Sequence, residues 1–228
     1  STAPIQRDGN VYTFTDNIYD EIVVERDNIV VDGAGSTLQG TGSGTGIDLS
    51  DRSNVAIQNM QIRYFDNGIY LEGSSGNNIY GNTITNNDRG IHVYRSSENI
   101  FYHNNFIDNT EQVHVRSTRE NVWDDGYPSG GNYWSDYTGV DQYRGPDQDE
   151  VGSDGIGDTE YLIDDINRDR YPLMSDLVPP TISIISPENK TYAVTTVTLT
   201  FTVSETTSWM GYSLDGQANV TIFGDITL

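Results

Sequence analysis

Two histidines stand 22 residues apart in this sequence, each inside a similar short motif. His92 lies in GIHV (residues 90–93), and His114 lies in QVHV (residues 112–115). An imidazole can bind a transition metal, exchange a proton or hydrogen-bond a sugar hydroxyl, and each role needs partner side chains nearby. His103 falls midway between the two motifs, and we do not expect it to join the other histidines.

A second stretch with chemical potential is acidic. Residues 141–176 contain eleven Asp or Glu against three Arg, and charges this dense repel one another unless a cation lies among them. The centre, DEVGSDGIGD (residues 149–158), resembles a calcium-binding loop, although Gly152 and Tyr161 stand where an EF-hand has ligands. The alternative is a solvated acidic loop. We predict Ca²⁺ ligands at Asp147, Asp149, Glu150, Asp154, the Ile156 carbonyl and Asp158.

The elements that position these side chains follow from a repeat of 22 residues. Related four-residue motifs begin at positions 46, 68, 90 and 112, and each alternates apolar and polar side chains. Alternation rich in Ile and Val, broken by Gly, Asn and Asp, predicts short strands. Three strands per repeat predict one rung of a right-handed parallel β-helix, because a unit this small cannot bury its own apolar face. Leucine is too scarce for a leucine-rich repeat.

The alternation also decides which side chains point outward. Ile91 and Val93 should lie inside the β-helix, so His92 should lie outside between them. We interpret the histidines as surface residues, because two imidazoles without a firm carboxylate partner make a poor transition-metal site. The alternative is a carbohydrate-binding face formed by the outward residues Tyr70, Glu72, His92, Tyr94, His114 and Arg116.

A second column predicts how the rungs are held together. Asn54, Asn78, Asn99 and Asn121 recur at almost the same step, and we expect their amides to stack as an asparagine ladder at a tight turn. Residues 10–33 contain three apolar runs and are predicted to form the first rung. We expect rungs to continue to about Trp123.

Composition shifts predict three regions. Residues 1–123 should form the rungs, residues 124–177 an acidic and aromatic cap with the calcium site, and residues 178–228 an incomplete immunoglobulin-like β-sandwich of about four strands. Such sandwiches need about 100 residues, so we expect either a longer chain or strands donated by a neighbouring subunit. Glycosylation sequons begin at Asn189 and Asn219.

The overall charge excludes several kinds of partner. The chain carries 34 acidic and 12 basic residues, a formal net charge of −22. Binding to nucleic acid or to an anionic membrane requires basic clusters, and the sequence contains none. Apolar runs also stay well short of the roughly 20 residues that span a bilayer, so we predict no membrane insertion.

Two motifs in the cap resemble a known family. GNYWSDY (residues 131–137) and SDGIGDTEYLID (residues 153–164) follow the predicted rungs. Residues 10–174 thereby resemble the NosD-like, "carbohydrate-binding and sugar hydrolysis" β-helix domains of archaeal cell-surface proteins. The resemblance implies a right-handed β-helix, an extracytoplasmic location and contact with sugars. Its founding member serves a copper site, but scarce His and Met and the absence of Cys argue against a copper role here.

These observations predict an extracellular, cell-surface structural or adhesive module, stabilised by calcium and joined to further domains or neighbouring subunits. The first alternative is a carbohydrate-binding β-helix. The second is a polysaccharide-degrading lyase or glycosidase, which needs two carboxyls facing one cleft. Asp48 and Glu72 share a predicted outward face, yet nothing in the sequence forces them into a pair, and we find no convincing catalytic constellation.

Overall fold

A computed structural model describes residues 3–117, 119–176, 182–188, 191–192, 196–203, 210–213, 217, 220–222 and 226–227. The chain divides into two compact units, residues 1–177 and 178–228. In the described part of both units every regular element is a β-strand. The first unit is a parallel β-helix of about five rungs with about 22 residues per rung, as the repeat predicted.

Three sheets form the sides of the β-helix, and each rung after the first contributes one strand to each sheet. The first sheet contains β1 (Ile5–Asp8), β2 (Val11–Phe14), β4 (Val30–Asp32), β7 (Ala56–Gln58), β10 (Asn78–Tyr80) and β13 (Ile100–Tyr102). The second sheet contains β5 (Thr37–Gln39), β8 (Gln61–Arg63), β11 (Thr83–Thr85), β14 (Asn105–Ile107) and β16 (Tyr133–Trp134). The third sheet contains β3 (Ile22–Val23), β6 (Thr45–Asp48), β9 (Asn67–Glu72), β12 (Arg89–Tyr94) and β15 (Glu111–Arg116).

All pairings in these sheets are parallel except that of β1 with β2, which is antiparallel. Strand β4 lies beside β2 in the first sheet and therefore begins the second rung. The prediction that residues 10–33 form a single rung was wrong by this one strand. The first rung has no strand in the second sheet, because Ile18 reaches that sheet only as an isolated bridge to Leu38. The third apolar run was therefore counted with the first rung, although it belongs to the second.

The core is a set of vertical columns of apolar side chains. Ile47, Ile69, Ile91 and Val113 are register partners in the third sheet, which confirms the predicted inward column. The three isoleucines are fully buried, and each contributes about 1.5–3 kcal/mol of transfer free energy. The residue before each of these isoleucines is glycine because the next rung leaves no room for a side chain there. A Cβ built on Gly68 would lie 2.5 Å from the carbonyl oxygen of Gly90 on the next rung.

Asparagine side chains stack at the turns, but the predicted ladder was off by one residue on two rungs. Asn77, rather than Asn78, donates to Asn99, and Asn99 donates to Asn121, all at a step of 22 residues. Asn54 instead bonds Asn28 through its side chain. The next position down this column is a valine, Val55, whose N–H donates to Asn77.

Two further ladders run beside the first, and all three end on a carboxylate of the cap. In each ladder an asparagine Oδ1 accepts the backbone N–H, and often the side-chain amide, of the rung before it. The ladders run through Asn77, Asn99, Asn121 and Asn167 to Asp164, through Asn82, Asn104 and Asn132 to Asp169, and through Asn87, Asn109 and Gln112 to Asp136.

The cap closes the last rung with aromatic rings. Trp123 stacks on Phe101 at 4.1 Å between ring centroids, and Trp134 stacks on Phe106 at 4.3 Å. Tyr161 covers the outer face of Trp134 at 4.2 Å. Both tryptophans are buried, so they cover core that an uncapped rung would expose. The cap also contains two antiparallel hairpins, β17 (Tyr143–Arg144) with β18 (Glu150–Val151) and β19 (Tyr161–Leu162) with β20 (Arg168–Asp169).

The second unit is antiparallel in its described part. Strand β22 (Thr198–Val203) pairs with β21 (Ile182–Ser186) and β25 (Ile226–Thr227), and β23 (Gly211–Tyr212) pairs with β24 (Val220–Thr221). The immunoglobulin-like assignment stays a prediction. The predicted glycosylation sites Asn189 and Asn219 lie outside the described residues.

Candidate functional site

The outward face of the third sheet carries the residues that the sequence singled out. His92 lies between Tyr70 and His114 in register, and Tyr94 lies between Glu72 and Arg116, as predicted. Between these columns is an open recess of about 400 Å³. Its lining residues are Tyr70, Arg89, His92, Tyr94, His114 and Arg116.

His92 forms the centre of this recess. Its ring centroid lies 5.0 Å from that of Tyr70 and 4.9 Å from that of His114, and its Nδ1 is 3.1 Å from Asn67 Oδ1. An amide oxygen can only accept, so Nδ1 carries the proton and Nε2 presents a lone pair. Burial, then the nearby His114, Arg89 and Arg116, lower the pKa of His92 to about 4. The imidazole is therefore neutral at pH 7.

The Nε2 atom of His92 is shielded from solvent and has no hydrogen-bond partner among the described residues. A buried polar atom left unpaired costs about 1–3 kcal/mol. A ligand hydroxyl that donates to this nitrogen would remove that cost. Because solvent does not reach Nε2 in this conformation, such a hydroxyl would bond it only with a shift of a neighbouring side chain.

His114 is held by partners on both sides. Its Nδ1 donates to Glu111 Oε1 at 2.8 Å, and its Nε2 accepts from Arg116 Nε at 2.9 Å. In this arrangement Nε2 presents its lone pair to the Arg116 guanidinium. Both ring nitrogens are occupied, and His114 orients Arg116 rather than offering a free ligand atom.

The tyrosines give the recess its apolar surface. Tyr70 donates from its hydroxyl to Glu72 Oε2 at 2.9 Å, and burial together with this carboxylate raises the pKa of Tyr70 to about 12. Tyr94 packs against the Arg95 guanidinium, which lies 4.8 Å from the ring centroid. Tyrosine rings fixed in this way offer an apolar face with a polar edge, as a sugar ring requires.

Arg89 lines the recess although sequence reasoning missed it. Its Nε lies 3.5 Å from Glu111 Oε2, in the column that contains Asn67, Arg89 and Glu111. The next outward residue on the strand, His92, is three positions away because Gly90 and Ile91 are both buried. Strict alternation fails at this glycine, so Arg89 was assigned to no outward column. The 22-residue step would have identified it.

The predicted calcium ligands do not converge. Asp154 accepts from Gly145 N and Ile156 N, and Asp158 accepts from Gln142 N and Tyr143 N, so backbone amides hold both carboxylates. Glu150 pairs with Arg144 at 3.6 Å across a hairpin, and Asp147 and Asp149 are exposed. Among the described residues, no three His, Cys, Asp or Glu side chains are grouped so that they could hold a metal ion. Calcium binding in this loop stays a prediction.

The same donor set does not fit copper. The recess offers one free imidazole nitrogen, His92 Nε2, while the corresponding atom of His114 is occupied by Arg116. Copper sites in proteins combine imidazoles with sulfur or further nitrogen ligands, which this face lacks in its described part.

His103 lies apart from the recess, as expected, at the turn between β13 and β14. Its Nε2 is 2.9 Å from the Ser129 carbonyl oxygen and 3.3 Å from Ser129 Oγ, and that hydroxyl donates to Asp125. In a catalytic triad the carboxylate holds the histidine rather than the serine. These three residues therefore anchor the loop 125–131 onto the β-helix.

Comparison with known proteins identifies one family. The family model described as "Periplasmic copper-binding protein (NosD)" matches residues 11–139, which is more than half of the 228-residue chain. No curated protein and no solved structure gives a significant match. The described residues also contain no helix with the length and apolarity needed to cross a membrane.

Proposed function

Since the chain belongs to the NosD family, a family of periplasmic proteins, we propose that it binds carbohydrate outside the cytoplasm without catalysing a reaction. The observation that carries this proposal is the recess on the third sheet. It combines tyrosine rings, guanidinium groups and an unpaired imidazole nitrogen on a rigid scaffold.

Size and shape support a sugar ligand. A recess of about 400 Å³ lies at the lower end of the range for small-ligand sites, which is about 300–1,000 Å³. It is open to the surface and runs along stacked strands spaced about 4.8 Å apart. An extended glycan chain could therefore meet an equivalent outward position on each successive rung. Aromatic faces would carry the apolar side of the sugar ring, and Arg and His would bond its oxygens.

The wider role that we propose is that of an adhesive module at the cell surface. The stacked rungs and the three amide ladders support this role, because together they make the β-helix a stiff carrier for the recess. Attachment to further domains or to neighbouring subunits through residues 178–228 belongs to the same proposal, and it rests on the sequence of that unit.

The carboxylates near the recess favour binding over catalysis. Glu111 is engaged by His114 and Arg89, and Glu72 is engaged by the Tyr70 hydroxyl. A glycosidase needs one carboxyl free to protonate the leaving group and a second free to act as base or nucleophile. In the described structure neither glutamate is free in this way.

The test is glycan binding by tyrosine variants. We expect Tyr70→Ala and Tyr94→Ala each to weaken binding on a glycan array and in affinity electrophoresis by about tenfold, a loss of about 1.4 kcal/mol. Tyr80→Ala is the matched control, since Tyr80 is an outward tyrosine of the first sheet stacked on Tyr102. It should bind as the unchanged protein does.

Two results would contradict the proposal. Binding that survives the Tyr70→Ala, Tyr94→Ala double variant would remove the recess from consideration. Release of reducing ends or unsaturated products from a bound polysaccharide would show that the protein is an enzyme.

A further inference from the structure

The recess differs in charge from the rest of the molecule. The chain has a net charge of −22 with only 12 Lys and Arg, yet two arginines and two histidines line this one recess. Of the described residues that line it, none is acidic. Arg89 and Arg116 supply the fixed positive charge of the lining, and Glu111, which pairs with Arg89 and with His114, offsets part of it. The acidic surface as a whole repels polyanions, and two arginines that line one recess give an anionic group a local partner there.

Both guanidinium groups keep their terminal nitrogens available. Arg116 uses Nε to bond His114, and Arg89 directs Nε toward Glu111. Within the described part of the chain no side chain bonds the Nη atoms of either arginine. A guanidinium with two free N–H groups matches a carboxylate in a planar, bidentate pair, which is the strongest neutral-pH contact that this recess can offer.

The remaining contacts call for hydroxyl groups. His92 Nε2 presents a lone pair and no proton, so it repels a carboxylate and accepts from a hydroxyl. The Tyr70 and Tyr94 rings offer apolar faces for a pyranose. The ligand that complements these lining groups carries a carboxylate, a hydroxyl donor and a flat apolar face together. A uronic acid has all three on one ring.

We infer that the glycan bound at this recess is a polymer of uronic acids, whose carboxylates pair with Arg89 and Arg116 while a ring hydroxyl donates to His92. The inference rests on the proposed carbohydrate-binding function and adds the class of sugar. It also assigns Arg89, which the sequence did not single out, as a specificity-determining residue.

The experiment compares charged and uncharged forms of similar polymers. The full chain is tested in 150 mM salt against polygalacturonate and alginate, against highly methyl-esterified pectin, against neutral dextran and against dextran sulfate. We expect at least tenfold tighter binding to a uronate polymer than to the methyl ester or to dextran. Arg89→Gln and Arg116→Gln should each reduce uronate binding at least tenfold. Arg116→Lys, which keeps the charge but loses the fork, should bind less tightly than the unchanged protein.

Arg63→Gln is the control, because Arg63 is an outward arginine of the second sheet that bonds Gln39. It changes the net charge equally and should leave uronate binding unchanged. An equal loss in Arg63→Gln, or equal binding of pectin ester and polygalacturonate, would overturn the inference while leaving carbohydrate binding intact. Tighter binding of dextran sulfate than of both uronates would also overturn it. If the protein bound none of these polymers and no other glycan, the proposed carbohydrate-binding function itself would be refuted.

Discussion

The rungs and the cap satisfy the same backbone donors with different side chains. Within the rungs, an asparagine Oδ1 accepts the N–H of the turn below it, as Asn104 does for Asn82. In the cap, a carboxylate takes that place, as Asp169 does for Asn132. The other two ladders also end on aspartate. The difference between Asn and Asp therefore depends on position along the stack.

The reason lies in the direction of the ladder. Asn104 must accept from Asn82 and also donate to Asn132 Oδ1, so it needs both an oxygen and an amide. Asp169 follows the last rung and only accepts, from Asn132 N, Asn132 Nδ2, Trp134 Nε1 and Tyr171 N. An asparagine there would place an NH₂ group against N–H donors. A carboxylate has no proton to leave unpaired at pH values above its pKa.

The largest loss of stability is expected when aspartate, the residue type at which a ladder ends, replaces an asparagine inside the ladder. Asn104→Asp replaces a buried NH₂ group with a carboxylate oxygen that faces Asn132 Oδ1, Ile79 O and Tyr102 O. We expect the free energy of unfolding to fall by about 3–5 kcal/mol at pH 7, as for a buried charge that has lost its partner. Urea denaturation followed by far-ultraviolet circular dichroism measures this loss.

The pH dependence of that variant follows from the same geometry. Facing oxygens and burial should raise the folded pKa of the introduced carboxyl, so its protonated form is favoured in the fold. Stability should then be recovered as the pH falls below the folded pKa, since a protonated carboxyl can donate to Asn132 Oδ1. Asn86→Asp is the control, because Asn86 is exposed at a turn. An equal loss in both variants would show that ladder direction is irrelevant.

The reverse substitution, asparagine for the aspartate that ends a ladder, should lower the free energy of unfolding by a smaller amount. Asp169→Asn keeps the shape but places two amide protons, where the carboxyl carries at most one proton, toward Tyr171 N or toward the three donors on the other oxygen. We expect a loss of about 1–2 kcal/mol in unfolding free energy at pH 5. Asp165→Ala, at an exposed cap position, should change stability by less than about 0.5 kcal/mol.

The cost of Asp169→Asn should shrink as the pH rises. Burial raises the pKa of Asp169 from 3.8 to about 7 against the opposing effect of its N–H donors. The folded state therefore binds a proton that the unfolded state has released between pH 4 and pH 7. This contribution to stability is complete below pH 4 and is lost as the pH rises through 7. The asparagine variant cannot titrate, so a difference that stayed constant from pH 5 to pH 8 would contradict the assignment.

The repeat made the interior of the rungs predictable. The apolar columns of the strands, such as the one through Ile69 and Ile91, keep their residue class at a fixed step, since each rung must bury the same surface. The ladder was harder to place, because Asn77 and Asn78 are adjacent and only the hydrogen bonds decide which one stacks. This ambiguity explains the error at Asn78. On the rung before it the column position is Val55, so the neighbouring Asn54 was assigned to the ladder in its place.

The site and the cap were less predictable because their residues do not repeat. Asp48, Tyr70, His92 and His114 occupy one column with three side-chain chemistries at four rung positions. Arg89 was not assigned to an outward column because Gly90 breaks the alternation. In the cap, the spacing of acidic residues gives their number but not their partners. Backbone amides in sequence-distant loops, such as Gln142 N with Asp158, take up carboxylates that the spacing assigned to calcium.

Adding or removing calcium at the predicted calcium loop should therefore change the stability least of the perturbations considered. Asp141, Asp154 and Asp158 already accept backbone N–H bonds, so a cation can add attraction only to exposed carboxylates such as Asp147 and Asp149. Exposed charge interactions contribute about 1 kcal/mol or less, which is about 2–4 °C in melting temperature for a unit of this size. We expect millimolar calcium to raise the melting temperature by no more than this, and EDTA to reverse the rise. A larger shift, abolished by Asp154→Ala, would mean that calcium displaces the amides, and that the cap depends on a metal where the rungs depend on asparagine.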